Sequence, residues 1–321
     1  MNRVLPKAYS IFEFMACELC GTQQEVKTYV AREMMFGTRE QFTYFECSGC
    51  GILRISDIPA DLGQYYPHTY NPHAAASNHA IKARVRQSLV SCAIKSRLFL
   101  NAATPFHRFT TAELAHALRL KPEMRILDVG CGAGLLVKDL RAAGFTAMGI
   151  DRFAPGNSDA QGVVIRQCEL QAVSEQFDCV LFNHSIEHIA DQVGTLQLVL
   201  SKLRTGGTCI VRIPLASWAW KEYGVDWVQL DAPRHLCVHS EKSFRLAAEK
   251  SGFAVSDIVY DSFDFMFWGS ELYRLDVPLE DGRPHLSDYF SKDRMNEFCR
   301  RAAELNQQHE GDQATFFLHR I

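Results

Sequence analysis

The 321-residue sequence contains no run of about 18 apolar residues, the length at which a segment becomes a candidate for crossing a membrane. We also expect no secretory signal, because Glu13 and Glu18 interrupt the region where the apolar core of a signal peptide would lie. We therefore expect a cytoplasmic protein without membrane spans.

An excess of positive charge is missing as well. The chain has 34 Lys and Arg against 37 Asp and Glu, a formal net charge of −3. Proteins that hold nucleic acid by neutralising phosphates generally carry a positive field, so this balance argues against a nucleic-acid partner. One stretch, residues 80–125, is locally basic, with nine Lys or Arg against two Glu. Its helical apolar spacing predicts a packed helix with a solvated basic face; the alternative is a docking site for an anionic substrate, a phosphate or a lipid surface.

The composition is that of a globular chain, with 47% hydrophobic and 22% charged residues. A single core stops growing at roughly 250 to 300 residues. We therefore expect one large domain with a smaller one attached.

Eleven cysteines are present, an odd number that cannot pair completely within one chain. Four of them form two C-x-x-C pairs, each followed by glycine, at Cys17, Cys20, Cys47 and Cys50. Two such turns bring four thiolates to one ion and predict a tetrahedral zinc site. Disulfides or buried thiols are the alternative, which a reducing compartment disfavours. The zinc should be structural, because four thiolates leave no position for water.

The residues between the two cysteine pairs alternate polar with β-branched or aromatic side chains, in QEVKTYV and QFTYFEC. This alternation predicts two short strands joined through a turn at Gly37. Together with the cysteines it predicts a zinc ribbon over residues 1–62. Residues 63–115 are expected to form a connector and a helical segment, because prolines among aromatics precede the helical spacing.

A glycine-rich turn lies in MRILDVGCGAG, residues 124–134, where an apolar strand ends in Asp128 and glycines follow at 130, 132 and 134. Glycines permit a sharp turn and the close approach of a ligand, and the amides at the start of a helix favour an anionic group. The dinucleotide fingerprint G-x-G-x-x-G is not satisfied, because Leu135 stands where its third glycine should be.

The string D-x-G-x-G-x-G resembles the first motif of the class I S-adenosylmethionine-dependent methyltransferases, and the resemblance covers roughly residues 110–321. It implies an α/β fold with a Rossmann-like seven-stranded sheet whose final strand is antiparallel, and S-adenosylmethionine as the cofactor. By position, the residues expected to bind the cofactor are Asp128, Gly130, Gly132, Gly134, Asp151, Cys168, Asn183 and His184. Among them Asp151, at the tip of the second strand, would accept hydrogen bonds from the ribose hydroxyls.

The resemblance assigns residues 116–321 to the cofactor-binding domain and leaves two insertions, 215–240 and 261–312. Loops that overhang the carboxyl ends of parallel strands are where open α/β folds bind substrates, so we expect these insertions to form a lid. The first contains DAPRHLCVHS, which resembles a D-x-P-R-H segment of one methyltransferase subgroup. That subgroup also carries amino-terminal cysteine pairs and is associated with sugars, polysaccharide precursors and secondary metabolites. Arg234 in this segment is expected to be able to hold a phosphate.

Three histidines are candidates for a catalytic base: His184 at the tip of the central strand, and His235 and His239 in the first insertion. A hydroxyl or a carbon acid has to lose a proton when it is methylated, and histidine titrates near neutral pH. The alternative for each ring is a hydrogen bond to loop backbone.

The sequence thus predicts an S-adenosylmethionine-dependent methyltransferase acting on oxygen or carbon of a small molecule, such as a nucleotide-linked sugar or a secondary metabolite. An RNA-directed methyltransferase or a zinc-ribbon RNA-binding module is the alternative, because zinc ribbons also bind RNA and the basic stretch is local. A scaffold that binds the cofactor without turnover is a third hypothesis.

Overall fold

The structure, a computed structural model, describes residues 14–25, 27–66, 119–121, 123–142, 144–154, 156–158, 164–280 and 284–321. Most of the basic stretch and most of the predicted connector lie outside these residues. Among the described helices, none combines the length and the apolar character needed to cross a membrane.

The amino-terminal part contains five short strands, whereas its alternating pattern predicts two. They are β1 (Phe14–Ala16), β2 (Gln23–Glu25), β3 (Lys27–Arg32), β4 (Gln41–Glu46) and β5 (Leu53–Ile55). Strands β3 and β4 pair antiparallel, and the turn between them includes Gly37 with a φ of +76°. This left-handed conformation explains the glycine, since an L side chain would be strained there.

A seven-stranded mixed sheet forms the centre of the larger part. In chain order its strands are β6 (Arg125–Val129), β7 (Thr146–Ile150), β8 (Ile165–Arg166), β9 (Phe177–Asn183), β10 (Leu203–Pro214), β12 (Phe253–Tyr260) and β13 (Gln313–Arg320). In space the order is β12-β13-β10-β9-β6-β7-β8, and β13 runs antiparallel to both of its neighbours. This is the predicted Rossmann-like methyltransferase sheet, including its antiparallel last strand.

Helices cover the sheet and form the insertions. They are α1 (Leu135–Ala142), α2 (Gln192–Lys202), α3 (Trp218–Tyr223), α4 (Glu241–Lys250), α5 (Phe265–Arg274) and α6 (Lys292–Gln307). Side-chain caps fix where two of them begin: Asp191 accepts from the Gly194 amide before α2, and Ser240 forms a capping box with Ser243 before α4.

Strand β10 begins earlier than its sequence indicates. The pattern LRTGGTCIVRIP predicts a helix end and a Gly-Gly turn before the strand, whereas the structure already pairs Leu203 with Phe177. The register shifts between Leu203 and Thr208, and Gly206 has a φ of +76°. The two glycines therefore lie in an irregular part of β10 and not in a turn before the strand.

The ribbon sheet is completed by a strand from the other part of the chain. β11 (Cys237–Val238), which belongs to the D-x-P-R-H insertion, pairs antiparallel with β5, so that the four-stranded sheet has the order β11-β5-β4-β3. One apolar cluster joins ribbon and insertions, with Tyr44 from the ribbon packed among residues such as Trp227, Phe267 and Phe298. The described residues on the two sides of the predicted boundary at residue 62 thus share a core.

Candidate active site

The glycine turn between β6 and α1 has the backbone conformations that its sequence predicts. Gly130, Gly132 and Gly134 have φ values of +75°, +53° and +71°. A Cβ atom at Gly130 would lie 2.5 Å from the Cβ of Ser185, whose hydroxyl donates to the Val129 carbonyl. Glycine is therefore required at position 130 both by conformation and by the closeness of the neighbouring strand end.

Two carboxylates flank this turn because β6 and β7 are parallel neighbours that end side by side. One oxygen of Asp151 accepts from the Gly132 amide at 2.9 Å and the other from the Phe153 amide at 2.7 Å. Asp128 is 3% exposed. Burial, followed by the negative charge of Asp151, raises the pKa of Asp128 to about 7.

A cavity of about 660 Å³ opens at these strand ends. Five of the predicted cofactor residues line it: Gly130, Gly132, Asp151, Cys168 and His184. Of the other three, Asp128 and Gly134 adjoin the same turn, and Asn183 accepts from the Arg212 guanidinium at 3.3 Å. Another part of the lining comes from the end of the ribbon and the start of the predicted connector, through residues that include Ile58, Leu62 and Tyr66.

His184 follows directly on the central strand β9. Its φ of +53° places a non-glycine residue in the left-handed region, and its amide donates to the Arg212 carbonyl at 2.9 Å. Such strained residues are concentrated at functional sites. The side chain is 30% exposed, and Nδ1 lies 3.4 Å from Oε1 of Glu187.

Glu187 is the buried centre of this region. It is 1% exposed, and neither carboxylate oxygen has a hydrogen bond of good geometry within the described residues. Burial alone would raise the pKa of Glu187, but the histidines around it, His184 first and then His188 and His235, lower it to about 2. The group is therefore a carboxylate that needs a positive neighbour.

Two further imidazoles face this carboxylate. Nδ1 of His188 lies 2.9 Å from the Arg234 carbonyl and 2.9 Å from the Tyr66 hydroxyl, and Nδ1 of His235 lies 2.8 Å from the Gln229 carbonyl. Nε2 of His235 is 3.9 Å from Oε1 of Glu187. Burial, followed by the charge of His235, lowers the pKa of His188 to about 4, so the His188 ring is neutral at pH 7.

Glu187, His188 and His235 each offer a potential ligand atom, and the three atoms lie within 4.8 Å of one another. We interpret the group as an acid–base cluster, because the main-chain partners fix both rings and the carboxylate can stabilise a proton on an imidazole.

The structure does not bring His239 to the cavity. It is 2% exposed; Nδ1 lies 2.8 Å from the Ser243 hydroxyl, and Nε2 contacts the Gln192 amide oxygen. Burial lowers its pKa to about 3. Because both ring nitrogens already have partners and the ring is shielded from the cavity, we correct the catalytic set by removing His239.

The expected phosphate role of Arg234 is corrected as well. Its side chain is 0% exposed and pairs with Asp231 at 2.6 Å and with Glu33 at 2.9 Å. A guanidinium enclosed by two carboxylates has no face left for a phosphate.

The four thiols of the ribbon converge as their spacing predicts. Sγ of Cys17 lies 3.9 Å from that of Cys50, Sγ of Cys20 lies 3.5 Å from that of Cys47, and all four sulfurs are within 4.8 Å of one another. A tetrahedral zinc ion with Zn–S bonds of about 2.3 Å keeps its sulfurs about 3.8 Å apart. The thiol set therefore fits zinc.

Residues 103–258 match a family model described as a methyltransferase domain. Over this stretch, just under half of its length, the chain resembles the class I S-adenosylmethionine-dependent methyltransferases. Similar curated proteins are ubiquinone biosynthesis O-methyltransferases. The one from Azorhizobium caulinodans is 33% identical over 171 residues, 47% of this chain and 66% of the relative. The human mitochondrial one is 32% identical over 103 residues, 27% of this chain and 28% of the relative. The chain thus spans less than two thirds of the length of these relatives.

Solved structures of methyltransferases are also similar to this chain. A mitomycin 7-O-methyltransferase has a TM-score of 0.43 and 12% identity, covering 76% of this chain and 59% of its own. A methyltransferase from Geobacter sulfurreducens in complex with S-adenosylhomocysteine has a TM-score of 0.40 and 16% identity, covering 72% and 98%. At these scores no feature of the site is inferred from them.

Two features of the site are absent from the sequence-based prediction. One is the contribution of Tyr66, at the start of the predicted connector, which contacts His188 and stacks on Phe153 at 5.7 Å between ring centroids. The other is the burial of Glu187 beneath three imidazoles. The adjacent Glu187 and His188 in the sequence could have indicated this buried carboxylate, whereas no local pattern indicated that Tyr66 would line the site.

Proposed function

We propose that this methyltransferase transfers the methyl group of S-adenosylmethionine to a hydroxyl oxygen of a small molecule. The observation that carries the proposal is the Glu187 carboxylate beside His184 and His235, because His184 lines the cavity at the glycine turn and the other two residues lie buried behind it. A hydroxyl acceptor is the kind of nucleophile that needs such a base. The matched relatives, named as O-methyltransferases, favour oxygen over carbon.

The residues around the cavity fit the cofactor. The carboxylate of Asp151 stands at the second strand tip, where it can accept from ribose hydroxyls, and the three glycines leave room for a ligand against the turn. Cys168 lines the cavity beyond Asp151 and is proposed to lie near the adenine.

Methyl transfer is an in-line displacement: the S–CH₃ bond breaks with its electron pair remaining on sulfur, and an O–CH₃ bond forms. The bound cofactor supplies the methyl group and a leaving group that becomes neutral. His184 or His235 takes the proton of the acceptor hydroxyl, and the Glu187 carboxylate stabilises the resulting imidazolium. Leu62 of the ribbon and Tyr66 of the connector line the same cavity, where their side chains would shield the acceptor from water.

The acceptor is proposed to be a small molecule, with a nucleotide-linked sugar or another secondary metabolite as the first class to test. This choice follows from the D-x-P-R-H segment. An anionic group would find its positive partners in the basic stretch of residues 80–125.

The test is turnover of labelled S-adenosylmethionine with a library of hydroxylated metabolites, sugar nucleotides and bulk RNA. His184→Ala and His235→Ala are expected to lower kcat by roughly 10²- to 10⁴-fold, with little change in cofactor affinity. His319→Ala is the matched control, because this ring lies at the far end of β13 and its nearest polar partner is the Thr208 hydroxyl at 3.5 Å.

Two results would contradict the proposal. Wild-type rates for both variants at every pH would mean that alignment alone drives the reaction. Methylation confined to RNA, or a product methylated on carbon or nitrogen, would replace the proposed acceptor.

One structural zinc ion per chain is proposed at Cys17, Cys20, Cys47 and Cys50. The spacing of the sulfurs supports it, and four thiolates would leave the ion no open position for catalysis. Elemental analysis of protein prepared without chelator should give about one zinc per chain; a metal-free, folded protein would contradict the site.

A further inference from the structure

We propose that Glu33, in the ribbon, is a positioning residue for His235, so that the ribbon holds part of the catalytic machinery in place. This inference rests on the proposed function, because His235 matters only if it acts on the acceptor. Glu33 itself does not line the cavity and acts through Arg234 and Asp231.

Glu33 is a fully buried carboxylate whose ribbon contacts fix its position. It follows β3 and is 0% exposed. Its oxygens accept from the Phe36 and Thr38 amides at 3.0 Å each. Oε1, which accepts from the Phe36 amide, also accepts from the Arg234 guanidinium at 2.9 Å. The ribbon turn therefore presents a preformed anion to the first insertion.

Arg234 connects this anion to a second carboxylate. It is also 0% exposed; Nε lies 3.0 Å and Nη2 2.6 Å from Asp231, and Nη1 donates to the Tyr65 carbonyl at 3.3 Å. Burial would lower the pKa of Arg234, but Asp231 and then Glu33 raise it above its ordinary value. Neither carboxylate alone satisfies this buried cation, so each supports the position of the other.

His235 is held between these groups and Glu187. Oδ2 of Asp231 lies 3.8 Å from its Nε2. The Tyr44 hydroxyl, also from the ribbon, donates to the His235 carbonyl at 2.8 Å, and the next amide, of Leu236, donates to the Glu187 carbonyl at 2.8 Å. The backbone of His235 is thus anchored to the ribbon on one side and to the Glu187 turn on the other.

This arrangement has to maintain a strained backbone conformation at Asp231. Its φ of +39° is left-handed, a conformation that a non-glycine residue adopts only when its surroundings impose it. If the Glu33 charge is removed, Arg234 pairs with Asp231 alone, and the segment that carries His235 is free to relax. A displacement of about 1 Å at a catalytic group lowers turnover by roughly 100-fold.

The test compares Glu33→Gln with Glu46→Gln. The glutamine at position 33 keeps an acceptor for the ribbon amides but removes the charge facing Arg234. Glu46 is a matched control: it is also a ribbon carboxylate at the insertion interface, contacting Tyr29 and Trp220, but within the described residues no hydrogen bond or ion pair joins it to Arg234. We expect kcat to fall by roughly 10- to 100-fold for Glu33→Gln, while the KM for the cofactor and the rate of Glu46→Gln stay near wild type.

A double-mutant comparison separates positioning from general damage. In a His235→Ala background, Glu33→Gln should lower kcat little further, because the group it positions is gone. A full additional loss in that background would overturn the proposal, as would a wild-type kcat for Glu33→Gln. Tyr44→Phe serves as a second variant if Glu33→Gln does not fold, since it removes only the bond to the His235 carbonyl; an unchanged kcat there would equally overturn it.

A readout without turnover distinguishes this proposal from the proposed function. In protein labelled on histidine nitrogens, the ring signals of His235, assigned by their loss in His235→Ala, should shift in Glu33→Gln and not in Glu46→Gln. Shifted signals in a protein that methylates no hydroxyl would sustain the positioning and refute the proposed function. Unshifted signals would refute the positioning whatever the activity.

Discussion

Asp128→Asn is expected to stabilise the cofactor-free protein at neutral pH. The carboxyl group of Asp128 is 3% exposed at the end of β6, where burial and then the charge of Asp151 raise its pKa from 3.8 to about 7. Ionisation of this buried carboxyl group therefore destabilises the folded wild type. Asparagine has the same shape but carries no charge, so the variant avoids this destabilisation.

The sign and size of the effect follow from this pKa. Because the folded-state value lies above the unfolded one, the folded state binds the proton more tightly, so the stabilisation from this group is fully present below pH 3.8 and is lost as the pH rises through 7. A difference of about 3 pH units corresponds to about 4 kcal/mol as an upper value. Allowing for relaxation and water entry, we expect the asparagine variant to gain about 2 to 4 kcal/mol over the wild type between pH 4 and pH 7.

The assay is urea unfolding of both proteins at intervals between about pH 4 and pH 7, without cofactor, comparing extrapolated free energies. Asp61→Asn is the control, because this carboxylate lies exposed on the rim of the same cavity and its variant should run parallel to the wild type. A constant difference between Asp128→Asn and wild type across the range would refute the argument, since it would mean that Asp128 ionises in the folded protein as it does in the unfolded chain.

Three further outcomes are expected. Asp151→Ala should weaken S-adenosylmethionine binding, measured by calorimetry, by roughly 1.5 to 3 kcal/mol, because a charge-assisted hydrogen bond to the ribose is lost. An unchanged dissociation constant would show that Asp151 does not bind the ribose. Gly130→Ala should melt at a lower temperature than Gly144→Ala, since both have positive φ but only the first meets another residue, with its Cβ 2.5 Å from that of Ser185; equal melting temperatures would show that contact to be harmless. Cys17→Ser should lower the zinc content and melt in one transition at reduced temperature, because ribbon and insertions share a core; two separate transitions would argue for independent domains.

The sheet and its glycine turn were predictable because their causes are local. An apolar strand, an acidic residue and glycines at 130, 132 and 134 occupy 11 consecutive residues, 124–134, and the positive φ values require those glycines. The two strand-tip acids, Asp128 and Asp151, meet because neighbouring parallel strands end at the same edge. Strands β3 and β4 of the ribbon followed in the same way from alternation and a glycine turn.

The environment of the catalytic candidates was not predictable in this way. His184, His235 and His239 cannot be told apart by residue type, and only the tertiary structure distinguishes them. His184 and His235 face Glu187, whereas both ring nitrogens of His239 contact other side chains, those of Ser243 and Gln192. A histidine within an insertion carries no local sign of which nitrogen will be bonded.

Arg234 shows most clearly where sequence reasoning reaches its limit. Its neighbours suggested an exposed phosphate ligand, yet one of its two carboxylate partners, Glu33, lies 201 residues away in the chain and removes it from solvent. A buried ion pair of this kind is weak as a source of stability, because desolvating the charges costs about as much as their attraction returns. Stability alone therefore gives little reason for a charged triad at the ribbon interface. A requirement to hold the segment that carries His235 in one strained conformation does give such a reason, and under the proposed positioning role the ribbon would take part in catalysis as well as holding its four thiols together.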